Sequence, residues 1–333
     1  MGPNSFYLRH PRNVGCTLLL AAMLTLGGCA SQQEQNKTSA NDAFYEGKPM
    51  LAFTGLPMAK TAQEGVRMGD QALVRGDGDE ALYHYVQALE LDPRSADAYY
   101  RIGQIHYRRD NEKLASLALR SALGIAPEHV GALTAMGVLH LKHNRYREAA
   151  SYLNKALDKD RARFAEDLAE RYDSSSPIDA YNGLGVMADL EGDTAEAQRL
   201  YAIALAIRPD AADVHNNLGY SYYLESRWQD AEREFRRALD LRSDYEQAWR
   251  NLGLVYARQQ RYLSALHALE RVMESAKAHN DIGYICMLDG RYQMAEYYFE
   301  QALTLSPVFY PKAKENLVYV QRIKEAMAQS AGR

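Results

Sequence analysis

Seven glycines constrain this 333-residue chain more than any other feature: Gly69, Gly103, Gly137, Gly185, Gly219, Gly253 and Gly283, spaced by 34, 34, 48, 34, 34 and 30 residues. Each follows a Met, Ile or Leu, and an alanine lies twelve residues after every one: Ala81, Ala115, Ala149, Ala197, Ala231, Ala265 and Ala295. Seven residues further stands another compact side chain: Ala88, Ala122, Ala156, Ala204, Ala238, Val272 and Ala302. Pro93, Pro127, Pro209 and Pro307 close four of the units. Seven coincidences in register are not composition, since glycine averages only about 7% of residues. A unit this short cannot bury an apolar face alone, so neighbouring units must stack.

Within a unit the spacing is helical. Counting positions so that the glycine is the eighth, positions 4, 8 and 11 share one face, as i, i+4 and i+7. Small residues at a helix crossing let two backbones approach closely, and Tyr85, Tyr201, Phe235 and Phe299 are placed to fill the space beside them. The sixth unit carries Trp249, Leu252, Gly253 and Tyr256, the W-x2-L-G-x2-Y half of the tetratricopeptide-repeat (TPR) pattern, and the whole series resembles that family. The resemblance runs from about residue 62 to 309. It implies an all-α TPR solenoid, a right-handed superhelix of about seven helix–turn–helix repeats with a C-terminal capping helix.

Three irregularities set the expected organisation. The 48-residue gap exceeds the period by fourteen residues, which places an insertion at 164–177 between repeats 1–3 (59–163) and repeats 4–7 (178–309). Its first part reads as extra helical turns and Ser174-Ser175-Ser176-Pro177 as a breaker. The 30-residue gap shortens the second helix of the sixth unit, or its turn, near Glu274 to Ala278. Residues 310–333 contain an amphipathic stretch suited to a terminal cap.

The amino terminus reads as an address. Arg9 and Arg12 precede an apolar run from Val14 to Leu26, too short to cross about 30 Å of hydrocarbon but suited to a signal core. Leu26-Gly27-Gly28-Cys29 resembles the bacterial lipobox. The expectation is a lipoprotein signal peptide over 1–28, lipidation (palmitate included) at Cys29, and a lipidated flexible tether over 29–58 with a reach of roughly 30 Å. Ala30 and Ser31, where inner-membrane lipoproteins usually carry Asp, resemble the outer-membrane pattern, so the expected location is the periplasmic face of the outer membrane. Phe44, Tyr45 and Phe53 are candidates to dock part of the tether on the repeats. With Cys16 and Cys29 assigned to the leader and the anchor, only Cys286 is left as a free thiol, at a packing position.

A formal charge of −4 argues against nucleic acid as a partner. The sequence holds no G-x-S-x-G, P-loop, H-E-x-x-H or dinucleotide fingerprint, so the reading is non-enzymatic, with no cofactor, metal or small-molecule substrate. His140 and His143 lack a suitably spaced third ligand, and Gly76-Asp77-Gly78-Asp79 falls at an inter-helix turn.

TPR superhelices are lined on their concave side by first helices. On that face Asn182, Asn216, Asn217, Tyr220, Tyr223, Arg250, Asn251, Asn280 and Tyr284 form the candidate partner-binding groove. Asparagine amides donate to and accept from a peptide backbone, and Tyr and Arg dominate binding hot spots. Tyr100, Arg101, Gln104 and Tyr107 make a second, weaker candidate surface. The stretch from the fifth repeat onward, including Asn280-Asp281-Ile282-Gly283-Tyr284, is similar to the TPR lipoprotein of the tight-adherence (Tad, or Flp) pilus system. That resemblance implies a scaffold for assembling or localising the outer-membrane secretin, with the secretin or another pilus or secretion component as partner. The alternatives are an adaptor lipoprotein that recruits a peptidoglycan hydrolase or protease, or a β-barrel assembly factor.

Overall fold

The computed structural model describes residues 42–48, 50–53, 55–164, 171–306 and 308–331. The chain divides into two units, 1–38 and 39–333, and all of these residues belong to the second. Among them every regular element is a helix.

Fourteen helices pair as seven antiparallel hairpins. They are α1 (Ala62–Val74) with α2 (Gly78–Leu91), α3 (Ala96–Arg108) with α4 (Glu112–Ile125), and α5 (Val130–Lys142) with α6 (Tyr146–Arg161). After the insertion come α7 (Ile178–Glu191) with α8 (Thr194–Ile207), α9 (Ala212–Leu224) with α10 (Trp228–Leu241), and α11 (Glu246–Arg258) with α12 (Tyr262–Leu269). The seventh pair is α13 (Ser275–Leu288) with α14 (Tyr292–Leu305), and α15 (Pro311–Ala331) follows alone. First helices touch one another along the array, α1 to α3, α3 to α5 and onward to α15, while each second helix packs against the next first helix. The first helices therefore form one continuous row, which is the solenoid expected from the repeat pattern.

Every hairpin turns on one residue in the left-handed region: Gly76, Asp110, Asn144, Gly192, Ser226, Gln260 and Gly290, with φ from 56° to 85°. Glycine, Asn and Asp adopt this conformation readily, whereas Ser226 and Gln260 hold it at a cost on the order of 1 kcal/mol each. Six helix starts, those of α1 to α5 and α8, carry side-chain caps. Thr61 accepts from the Glu64 N–H, and Asp77 from those of Asp79 and Glu80. The acidic-looking Gly76–Asp79 segment is this turn and cap.

The glycine register is a crossing register. A Cβ added at Gly219 would lie 2.8 Å from Phe235, and one at Gly253 2.5 Å from Leu269. Phe235, Tyr85, Tyr201 and Phe299 are all fully buried. The deletion in the sixth unit falls on its second helix, since α12 has 8 residues where the other second helices have 14 to 16.

α15 is a first helix without a second. Its buried Ala313, Leu317 and Val320 repeat the spacing of Ala278, Ile282 and Ile285 in α13, which sets Val318 where the seven hairpins have glycine. Valine thus replaces the crossing glycine in this last described helix, which suits the capping role expected from the sequence.

The described part of 42–58 packs on the first two hairpins, so this portion of the expected tether is ordered against the repeats. Phe44 and Phe53 are buried, Phe44 edge-on to Tyr99 (ring centroids 5.5 Å apart) and Phe53 stacked on Tyr83 (5.2 Å). Asn111 donates to the Glu46 carboxylate, and the Arg109 guanidinium holds Asp79 at 2.7 Å. Buried His106 bonds the Phe44 carbonyl through Nε2 at 2.8 Å, while its Nδ1 has no partner among the described residues. Burial lowers the His106 pKa below its ordinary 6.5, so the ring is neutral and Nε2 donates.

The leader, Cys29 and most of the expected extra helical turns of the insertion lie outside the described residues. What is described of the insertion is a polar knot: Arg163 Nη2 bonds Asp160 at 2.5 Å and Asp173 at 3.1 Å, and the Ser175 hydroxyl donates to Asp173 at 2.7 Å.

Candidate partner-binding face

The first-helix row carries all nine residues singled out from the sequence, and the structure divides them into two groups. The five asparagines are joined to their own array. Asn217 Nδ2 donates to Asn182 Oδ1 at 2.9 Å, and Asn251 Nδ2 donates to Asn216 Oδ1 at 3.0 Å. Asn316 of α15 donates to Asn280 at 3.1 Å. Asn216 also donates to Asn217 at 3.3 Å, which ties the first two links together. Gln247 donates to Asn251 at 3.1 Å, and Asn182 donates to Asp213 at 3.3 Å.

These links follow one rule, in which position 5 of one first helix meets position 6 of the next. Adjacent helices are offset by one residue, so partners lie 35 apart in two links and 36 apart in the third. Between α11 and α13 the same places hold Arg250 and Asp281. Burial raises the Asp281 pKa, opposed by the Asn280 amide and by the charges of Lys312 and Arg250. Asn216, Asn251 and Asn280 are buried, and their amides bond neighbouring repeats instead of standing free for a guest backbone. Asn182 and Asn217 remain half-buried at the edge of the row.

The second group faces outward. Tyr220 and Arg250 are exposed, and Tyr223 and Tyr284 half-exposed. Tyr220 and Tyr223 stack with ring centroids 6.0 Å apart and planes 14° from parallel. Arg258 fixes the inner side of Tyr223, donating to its hydroxyl at 3.2 Å while pairing with Asp289. At the fourth repeat the corresponding place is filled internally, because Asp189 accepts from Ser221 at 2.7 Å and from Tyr201 at 2.9 Å. Burial raises the Asp189 pKa, and these two donors oppose the rise.

Sequence reasoning passed over three members of this face. Leu190, Leu224 and Leu288, all at position 13, are 44% to 58% exposed. The signal was a large apolar residue one place past the first-helix stripe in three of the last four units. With Tyr220, Tyr223 and Tyr284 they put apolar and aromatic side chains on α7, α9 and α13, with Arg258 of the intervening α11 bridging Tyr223 and Asp289. In the second candidate surface, Arg101 pairs with Asp70 at 3.1 Å and Gln104 donates to the Tyr100 hydroxyl at 2.6 Å, so three of its four residues are bonded internally.

The groups with catalytic or metal-binding chemistry are held structurally. Cys286 is fully buried, and burial pushes its thiol pKa up, away from the reactive thiolate. His143 pairs with Glu112 at 2.8 Å, while His140 stacks on Tyr152. No cluster of three potential metal ligands occurs among the described residues, and none of the described helices is long and apolar enough to cross a membrane.

Comparison with known proteins agrees with the hairpin register. A family model described as TPR repeat matches residues 69–110, and models described as tetratricopeptide repeat match 96–129, 210–278 and 276–307. The type IV pilus assembly protein PilF of Pseudomonas aeruginosa is 30% identical over 154 residues, covering 45% of this chain and 55% of that protein's length. The solved PilF structure covers 67% of this chain and 98% of its own, at 20% identity and a TM-score of 0.48. The Cut9–Hcn1 hetero-tetramer of the anaphase-promoting complex superposes over 81% of this chain and 50% of its own, with a TM-score of 0.55 at 17% identity. Glycine crossings, a left-handed turn in every hairpin and the family-model matches identify tetratricopeptide repeats over residues 69–129 and 210–307.

Proposed function

We propose that the chain is a non-enzymatic scaffold, anchored by lipid on Cys29 to the periplasmic face of the outer membrane, whose repeats 4–7 hold a segment of a pilus-assembly partner. The observation that carries this reading is the set Leu190, Tyr220, Tyr223, Leu224, Tyr284 and Leu288, apolar and aromatic side chains exposed or half-exposed on a row whose asparagines are bonded to one another. Water-exposed aromatic and apolar residues grouped on one face are what an interface core requires. The asparagine links hold the helices beneath in register, so little ordering is lost on binding. The likeness to a type IV pilus assembly protein supports the pathway, and the similarity to the tight-adherence lipoprotein supports a secretin of that system as the partner.

Membrane fractionation and pull-down from the native cell test the two halves separately. Cys29→Ser is expected to release the protein from the outer-membrane fraction and lower pilus output. Tyr220→Ala with Leu224→Ala is expected to leave localisation unchanged and abolish capture of the secretin. Normal piliation with a soluble Cys29→Ser chain, or capture of a cell-wall hydrolase in place of any pilus component, defeats the proposal.

A further inference from the structure

A second surface lies on the second and third repeats, apart from the strip on repeats 4–7. α4, α5 and the start of α6 enclose a cleft of about 360 Å³ whose floor includes the buried apolar Met136 and Leu139. Its single acid, Glu112, is already paired with Lys142 at 3.0 Å and with His143 at 2.8 Å. That leaves Lys113, Arg120 and Arg145 on the same cleft, exposed, their side chains with neither an ion pair nor a hydrogen bond among the described residues. Elsewhere in the array Arg101, Arg109, Arg163, Arg199, Arg233 and Arg261 each hold a carboxylate. Three unclaimed cations on one cleft, in a chain of net charge −4, are a local reversal of sign.

His140 adds an independent observation. Its ring lines the cleft, and its Nδ1 is buried without a partner. Buried polar atoms of native proteins are nearly always bonded, so this wall of the cleft is incompletely satisfied by the chain itself. Lys113 and Arg120 stand two turns apart on α4, about 10.5 Å along the axis. This spacing suits charges distributed along a polypeptide better than one phosphate-sized ion.

We propose that this cleft binds an acidic protein segment, its carboxylates on Lys113, Arg120 and Arg145 and an apolar side chain on Met136 and Leu139. The site is separate from the first-helix strip and stands or falls independently of it. Regions of complementary charge steer association and fix register.

Fluorescence anisotropy with the full chain in detergent tests the assignment, using a short fluorescein-labelled peptide of alternating Glu and Leu and its Lys-for-Glu counterpart as probes. The acidic peptide is expected to bind and the basic one not. Lys113→Ala with Arg120→Ala is expected to weaken binding by at least about tenfold, with the thermal midpoint unchanged because both side chains are exposed. Tyr220→Ala with Leu224→Ala is expected to leave the affinity intact. Equal affinity of the Lys113/Arg120 variant overturns the assignment. So does a variant-sensitive response confined to inorganic phosphate or anionic lipid vesicles.

Discussion

Asn251 donates a 3.0 Å side-chain hydrogen bond to Asn216, 35 residues earlier, and both residues are buried. The bond spans two successive first helices and has its own low-dielectric surroundings, so removing one partner strands the other. Asn251→Ala is expected to lower the unfolding free energy by about 1–3 kcal/mol. The Asn216→Ala/Asn251→Ala pair is expected to cost less than the sum of the single changes. Urea denaturation of the four proteins measures that coupling.

At Gly219 an added methyl lies 2.8 Å from Phe235. Gly219→Ala gains about 1 kcal/mol of helix propensity but forces the crossing apart, for a net loss of about 1–2 kcal/mol. Thermal melting checks the sign. A stabilised variant would show that the crossing has slack.

Gln260 sits at φ 61° where three of the other turns have glycine. Gln260→Gly is expected to raise stability by about 1 kcal/mol, because the left-handed backbone no longer opposes a Cβ. Equilibrium unfolding reads the gain.

Docking of residues 42–58 is expected to weaken in acid. His106 is neutral when folded because burial lowers its pKa, with the Glu46 charge opposing and the Arg109 charge assisting. The unfolded chain titrates near 6.5 and binds the proton more readily, so the contribution of His106 is complete above pH 6.5 and falls as the pH drops toward the lowered folded value. Amide exchange in residues 42–58 is expected to speed up between pH 7 and pH 5 relative to α13, and His106→Gln is expected to flatten that dependence.

The hairpins were legible because their determinants are local and repeated: glycine at the crossing, alanine twelve residues on, and the turn between. The deletion near Glu274 translated directly into the short α12. The role of the asparagines was not legible. An amide on a first helix bonds equally well to a guest backbone or to a neighbouring amide, and the choice depends on a one-residue offset between stacked helices. Asn316 shows the difficulty, since it completes the series from a helix lacking the glycine mark. The packing of Phe44 against Tyr99 was visible only as an aromatic in a polar segment, because its partner lies 55 residues away and no period connects them.

Pinning Phe44 and Phe53 to the first two hairpins gives the body a short leash. Between Cys29 and Phe44 the covalent chain measures at most about 50 Å, even pulled straight. On the proposed lipidation of Cys29, that contour length would set the greatest height at which the repeats could meet a partner above the membrane.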